Sequence, residues 1–240
     1  MSALPPPVRT NLHESVREYW LKRVDQHTRD SYAGLFMSKF PEDLRVYEHL
    51  IWESKPNVVV EIGTQHGGSA LWFRDRLLTV ASYFPSAPVR VISIDLDLAA
   101  ARRNIESVDS DYAGSITLIE GDIADPRLPE EVERCLPPSS SCLVVEDSAH
   151  TYETTLAALR GFSRFVEIGG FFVVEDGCVD VEAMRLSSDW PRGVLPALHE
   201  WLRSPEGSEF TVRRDLELYG ITCHPEGFLQ RTQPRSIQDS

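Results

Sequence analysis

The sequence predicts an α/β protein with a doubly wound, mostly parallel seven-stranded sheet, helical additions at its N-terminal end and an antiparallel strand pair at its C-terminal end. Three observations predict it. Five short, nearly continuous apolar runs punctuate the middle of the chain, separated by helical stretches. Strands buried on both faces of a parallel sheet read this way. Most of those runs end in acidic residues, and the first leads into a glycine-bearing loop that opens a helix. Alternation of this kind, with right-handed crossovers, gives a Rossmann-like sheet whose ligands bind beyond the carboxyl ends of its strands.

The runs are Val58-Val59-Val60 ending at Glu61, then VRVISID (89–95), ITLIE (116–120), CLVVED (142–147) and GFFVVED (170–176). Helices are expected between them over 68–78, 98–108, 129–135 and 152–166. Segments 12–22 and 41–52 have the spacing of amphipathic helices preceding the first strand. After the fifth strand, 194–203 reads as a helix. Segments 210–214 and 221–229 read as strands, the second broken by a turn at Pro225-Glu226-Gly227. This divides the chain into an N-terminal helical extension or cap (1–52), a main α/β domain (53–231) and a flexible tail (232–240). The proline-rich opening at Pro5-Pro6-Pro7 and the polar tail are expected to be mobile.

Composition narrows the function classes. The 240 residues carry 24 Lys and Arg against 37 Asp and Glu, a formal charge of −13. Phosphate recognition needs clustered cations, so no nucleic-acid partner is expected. Hydrophobic residues make up 42%, enough for a substantial core. Cys135, Cys142, Cys178 and Cys223 include no C-x-x-C pair, which suits packing roles in a reducing compartment rather than a zinc or redox motif. The first ten residues lack a secretory apolar stretch, and no run approaches the length of a membrane span. The expectation is a cytoplasmic protein with no membrane partner.

The chemistry should sit at the strand ends. The first loop runs Glu61-Ile62-Gly63-Thr64-Gln65-His66-Gly67-Gly68-Ser69 between a strand and a helix, the context of a nucleotide-type glycine loop. It is neither a Walker A loop nor G-x-G-x-x-G, which weakens a nicotinamide-dependent oxidoreductase. It resembles E-x-G-x-G-x-G, with Gln65 where the middle glycine stands. Asp95, where the second apolar run stops, can accept the hydroxyl protons of a nucleoside ribose; Asp97 is its rival. Asp122 and Ile123 follow the third strand, where an adenine ring would lie, and the competing reading there is a helix-capping loop. Asp147, Glu175 and Asp176 end adjacent strands and form an all-oxygen set suited to magnesium or a similar hard cation. His150, three residues past Asp147, is the candidate general base. Helix capping is the alternative use of acidic strand ends, but many like charges along one sheet edge repel unless something relieves them.

Five stretches then carry a resemblance: KFPEDL (39–44), EIGTQHGGSAL (61–71), ISIDLD (92–97), VVEDSAHTYETT (144–155) and GGFFVVEDG (169–177). Together they resemble the cephalosporin hydroxylase / rhamnosyl O-methyltransferase family, over roughly residues 31–230. The resemblance implies an S-adenosylmethionine-dependent, magnesium-dependent O-methyltransferase acting on a hydroxyl of a natural product or sugar, active as a homo-oligomer. It implies cofactor contacts at Glu61, Gly63, Thr64, Gln65, Gly67, Ser69, Asp95, Asp122, Ile123 and Asp147. It implies metal ligation by Asp147, Glu175 and Asp176, and catalysis by Asp147 and His150. His150 stands where catechol-type enzymes of this class place a lysine. Segment 178–196, with Met184, Trp190 and Leu195, is expected to line the acceptor pocket or cover it; core packing or an oligomer contact is the equal alternative for Met184 and Trp190. An accessory subunit that binds cofactor without turnover is the competing functional reading, and the intact Asp147/His150/Glu175/Asp176 set speaks against it.

Overall fold

Each of the five apolar runs forms a strand. In the computed structural model, which describes residues 13–84, 87–185 and 187–235, they are β3 (Val58–Ile62), β4 (Arg90–Asp95), β5 (Ile116–Glu120), β6 (Cys142–Glu146) and β7 (Phe171–Val174). β3 and β6 are buried at every position, as their unbroken apolar character requires. Two further strands, β8 (Phe210–Val212) and β9 (Phe228–Arg231), complete a seven-stranded sheet in the order β5-β4-β3-β6-β7-β9-β8. β3 through β7 are mutually parallel, and β9 is antiparallel to both β7 and β8. The strand order reverses at β3. The crevice beyond the carboxyl ends of β3, β4 and β6 is therefore where a ligand site is expected.

Helices α3 (Gly68–Tyr83), α4 (Ala99–Val108), α5 (Leu128–Cys135) and α6 (Tyr152–Phe162) make the crossovers, and α7 (Val194–Trp201) packs along α6. Thr151 starts α6 with a capping box, its hydroxyl accepting from the Thr154 amide. The sheet faces bury two apolar clusters. One holds Val60, Ile62, Ile94 and Val144 with α6 and α7, the other Val59, Val91 and Val145 with α3.

The N-terminal part differs in detail from expectation. Helix α1 spans Val16–His27, beginning at a capping box in which Ser15 accepts from the Glu18 amide. The expected start at Leu12 lies outside the described residues, as do Pro5–Pro7 and the tail beyond residue 235. A small antiparallel pair not anticipated from the sequence, β1 (Ser31–Tyr32) and β2 (Leu35–Phe36), turns the chain into α2 (Pro41–Ser54), which opens on a helix-compatible proline. Trp20 and Val24 of α1 are buried in the same cluster as Phe40. Trp20 Nε1 donates to the Met184 carbonyl at 2.7 Å, so α1 leans on the segment after β7.

The expected strand over 221–229 is corrected. Residues 221–227 are irregular, and β9 begins only at Phe228. Pro225 has no amide to give a ladder, and Glu226 takes a left-handed φ of 61°. The segment after β7 is knitted by Arg185, whose buried guanidinium donates to the carbonyls of Val179, Ser188, Trp190 and Pro191. Asp180 accepts from the amides of Gly193 and Leu195 at the start of α7. Among the described residues no helix is long and apolar enough to cross a membrane.

Candidate active site

A cavity of about 630 Å³ opens at the strand-order switch, within the range of small-molecule sites. One wall is the loop after β3. Gly63 has φ +98°, and a Cβ there would lie 1.9 Å from the Asp147 carbonyl oxygen. Only glycine lets the ends of β3 and β6 come this close. The Asp147 amide ties the two ends together by donating to the Ile62 carbonyl, and the Gly63 amide ties β3 to β4 by donating to the Ile94 carbonyl, both at 2.8 Å. Gln65, where the glycine-rich pattern has its middle glycine, takes the left-handed conformation anyway, with φ 48°. Asp95 holds it there by accepting from the Gln65 amide at 2.7 Å through Oδ2, while its Oδ1 accepts from Leu96 at 2.8 Å.

Gly63, Gln65, Asp95, Asp122, Ile123 and Asp147 all line the cavity. Glu61, Thr64, Gly67 and Ser69 do not. They lie buried beneath the loop and shape it from behind. Glu61 accepts from the Ser93 hydroxyl of the neighbouring strand, and burial pushes its carboxyl above the ordinary range against the pull of Lys39 and the surrounding hydroxyls. The side chains of Glu61, Thr64 and Ser69 thus face away from the cavity lining.

The acidic end of the cavity is built from β6 and β7. Ligand atoms of Asp147, His150 and Asp176 all lie within 4.8 Å of one another. His150 Nε2 is 3.2 Å from Asp176 Oδ2 and 4.0 Å from Asp147 Oδ1, and its Nδ1 is buried without a hydrogen-bond partner. His150 and Asp176 both have positive φ, 55° and 56°. Non-glycine residues held in this region store strain of about 1–3 kcal/mol each and concentrate at functional sites.

Glu175 is placed differently from its neighbour. It is 2% exposed and does not line the cavity. Its Oε1 accepts from Lys39 Nζ at 2.6 Å and from the Tyr47 hydroxyl at 2.5 Å, while Oε2 faces His224 Nε2 at 3.7 Å. Lys39 also donates to Asp147 Oδ2 at 2.8 Å, so one ammonium bridges the two carboxylates. The structure thus brings Asp147, Asp176 and His150 together at the cavity wall. It leaves Glu175 engaged behind them. Burial, and then the charge of Glu175, push the Asp147 carboxyl well above its ordinary range despite Lys39. Burial acts on Glu175 in the same sense, but Lys39 and His224 outweigh it and hold that carboxyl below its ordinary value. Burial opposes the Lys39 charge, and the surrounding Asp147, Glu175 and Glu61 outweigh it, so the ammonium stays protonated.

Sequence reasoning missed Lys39, Tyr47 and His224, and with them Asp43, which lies 3.8 Å from His224 and accepts from Thr222 and Cys223. It also missed His27 and Phe36 on the cavity wall. The His27 ring lies on Phe40 with centroids 4.3 Å apart, and its Nδ1 is 2.6 Å from the Val24 carbonyl. Only the KFPEDL stretch singled out Lys39 and Asp43, and it carried no role for either. Of the segment after β7, Val179, Trp190 and Pro191 reach the cavity; Met184 and Leu195 pack on the core.

Residues 24–232 match the family model described as Rhamnosyl O-methyltransferase/CmcI. The chain belongs to that family. The rhamnosyl O-methyltransferase of Mycobacterium bovis (strain BCG / Pasteur 1173P2) is 25% identical over 214 residues, covering 85% of this chain and 79% of the relative. That of Mycobacterium leprae (strain TN) is 25% identical over 203 residues, covering 84% and 82%. Among solved structures, a CmcI apo structure superposes with a TM-score of 0.63 at 23% identity, over 96% of this chain and 90% of that one. A CmcI structure described with Mg and SAM gives 0.60 at 23%, over 95% and 89%. The fold of this rhamnosyl O-methyltransferase/CmcI family member is accordingly the α/β methyltransferase fold, and its class is that of an O-methyltransferase.

The site fits the two groups such a protein uses. For a nucleoside cofactor it offers the Gly63 cradle, a strand-end carboxylate at Asp95 and an apolar face at Ile123. For a hard cation it offers converging carboxylates beside an unpartnered imidazole nitrogen. If Asp95 receives the ribose hydroxyls, Asp95→Ala lowers S-adenosylhomocysteine affinity roughly 10- to 100-fold by titration calorimetry, the size of one or two lost charge-assisted hydrogen bonds. Gln65→Gly, which keeps the amide and removes the unfavourable φ, changes that affinity by about threefold at most.

Proposed function

We propose that this protein transfers the methyl group of S-adenosylmethionine to a hydroxyl of a small natural product or sugar moiety, with a divalent cation at Asp147 and Asp176. The observation that carries this reading is the meeting, in one cavity, of the Gly63–Gln65–Asp95 cradle with the Asp147/His150/Asp176 group.

The chain's own residues have distinct tasks. The loop after β3 and Asp95 orient the cofactor along the sheet edge. Asp122 and Ile123 close over the base. Phe36 and Trp190, both in the cavity lining, exclude water and give the acceptor an apolar face to lie on. Holding donor and acceptor in line can account for about 7–11 kcal/mol of the barrier at best. The cation, when bound, supplies Lewis acidity that lowers the pKa of the acceptor hydroxyl. His150 receives the hydroxyl proton, and Asp176, 3.2 Å away, stabilises the resulting imidazolium. His150 keeps this role better than that of a ligand, because a hard cation favours oxygen donors.

The test is transfer of labelled methyl from S-adenosylmethionine to a panel of 6-deoxyhexosides and polyhydroxylated aglycones, with magnesium and with EDTA. Labelled product that requires magnesium and disappears in Asp176→Asn supports the reading. Product formed equally well in EDTA contradicts the role of the cation.

A further inference from the structure

Lys39 stands directly behind the acidic group that the proposed function uses, and nothing in that function requires it there. It is 4% exposed, and its ammonium lies 2.8 Å from Asp147 Oδ2 and 2.6 Å from Glu175 Oε1. No long excursion to solvent is open to so buried a side chain. The carboxylates around it number more than the cations. Asp147, Glu175 and Asp176 converge from β6 and β7, Glu61 acts on Lys39 from β3, and Asp43 approaches from α2 through His224. Without a counter-charge such a cluster would be unstable or would take up protons. Lys39 supplies that charge from the N-terminal part of the chain, just ahead of α2.

The divalent cation proposed above shares Asp147 with Lys39, and Glu175, the other carboxylate that Lys39 holds, lies within reach of the same site. Two cations competing for one set of oxygens cannot both bind at full strength, because their mutual repulsion at close range is strong in a partly buried site. Glu175 is the residue whose state depends on the outcome. Engaged by Lys39 and Tyr47, it is withheld from the cavity; released from Lys39, it lies next to Asp176 in sequence and within 4.8 Å of it and His224 as a potential donor.

We infer that Lys39 is a resident counter-cation that competes with the divalent metal for Asp147 and Glu175, keeping the acidic cage assembled when metal is absent and weakening metal binding when it is present. Lys39 is in this sense a positioning residue: it acts on the reaction through the two carboxylates it holds. The inference rests on the metal assignment made above. It adds that metal affinity is set by an internal lysine as well as by the donors.

The experiment is Mn²⁺ titration of the full chain, by calorimetry and by the electron paramagnetic resonance signal of free Mn²⁺. Wild type is compared with Lys39→Met, Lys39→Gln and Lys39→Met/Glu175→Gln. Removing the competing charge raises Mn²⁺ affinity by about tenfold or more, as expected for two like charges a few ångströms apart. The added Glu175→Gln change returns affinity toward wild type, because the gain depends on the released carboxylate. Thermal melts in EDTA and, separately, in excess Mn²⁺ give an independent readout: Mn²⁺ stabilises both proteins, and Lys39→Met gains more from it than wild type, in step with its tighter binding. A Lys39→Met protein that folds only with Mn²⁺ present supports the same conclusion. Lys39→Gln, whose amide can still donate to both carboxylates, then supplies the affinity comparison.

Wild type that binds Mn²⁺ while both Lys39 variants bind it equally or more weakly overturns the competition and leaves the metal assignment standing. Absence of Mn²⁺ binding in wild type and in every variant overturns both together.

Discussion

Asp147→Asn is expected to lower magnesium-dependent methyl transfer by about three orders of magnitude, the scale of losing a Lewis acid from a reacting centre. The substitution is close to isosteric. Its amide oxygen can still accept from Lys39 Nζ, so the end of β6 should keep its shape. What goes is one of the two carboxylates proposed to hold the cation. Steady-state rates with magnesium and with EDTA are the measurement. The wild-type rate falls on chelation, whereas the variant starts near the chelated rate and does not change. S-adenosylhomocysteine affinity should shift far less than turnover, because the Gly63 and Asp95 contacts survive. Undiminished magnesium-dependent turnover in Asp147→Asn contradicts the assignment of the cation to this position.

Gly63→Ala is expected to act on the whole end of the sheet. Its Cβ would lie 1.9 Å from the Asp147 carbonyl oxygen and 2.6 Å from the carbonyl carbon, and its φ of +98° is unfavourable for alanine. Neither partner can retreat freely. The Asp147 amide is held by Ile62 and the Gly63 amide by Ile94. The strands must separate at their carboxyl ends, a disruption of about 3–5 kcal/mol by analogy with other strained or overpacked core positions. For a chain of this size that corresponds to a fall in Tm of about 10 °C, with loss of cofactor binding in whatever folded protein remains. Differential scanning calorimetry and S-adenosylhomocysteine titration check both. A variant that melts within a degree or two of wild type and binds cofactor normally would show that Gly63 does not fix the approach of β3 to β6.

The two predictions differ in how far each could be read from sequence. The five core strands were legible because a strand buried on both faces must be apolar throughout. Val58–Val60 and the VVED runs have that character, and their acidic ends marked the sheet edge that carries the cavity. Gly63, Gln65, Asp95, Asp122, Ile123 and Asp147 reach that cavity because each lies at or just past a strand end, a position set by local pattern. The C-terminal pair was harder. The expected strand over 221–229 shrank to β9 at 228–231, since Pro225 and the left-handed Glu226 were read as an interruption within a strand rather than as its boundary. The β1–β2 pair is too short to have a period.

Glu175 shows where local pattern runs out. Its neighbours in sequence suggested a donor facing the cavity. Its actual partners, Lys39 and Tyr47, come from 136 and 128 residues away. No spacing rule links them. A lysine before Phe40-Pro41 reads as an ordinary polar residue ahead of a helix until the fold buries it. The same holds for His224, whose Nδ1 accepts from the Asp176 amide at 3.0 Å and so supports the strained backbone there. The strand-end residues that line the cavity were thus visible in the sequence, while the residues that hold them in place became visible only once the N-terminal part was packed on the sheet.

The most direct test of the central claim is calorimetric titration of S-adenosylmethionine and S-adenosylhomocysteine into the full chain, in magnesium and in EDTA. The account predicts micromolar binding of both in either condition, because the cradle of Gly63, Gln65 and Asp95 is formed by backbone and strand-end contacts and Lys39 keeps the acidic end assembled without metal. No binding of either compound in either condition would contradict the claim that this cavity holds the methyl donor.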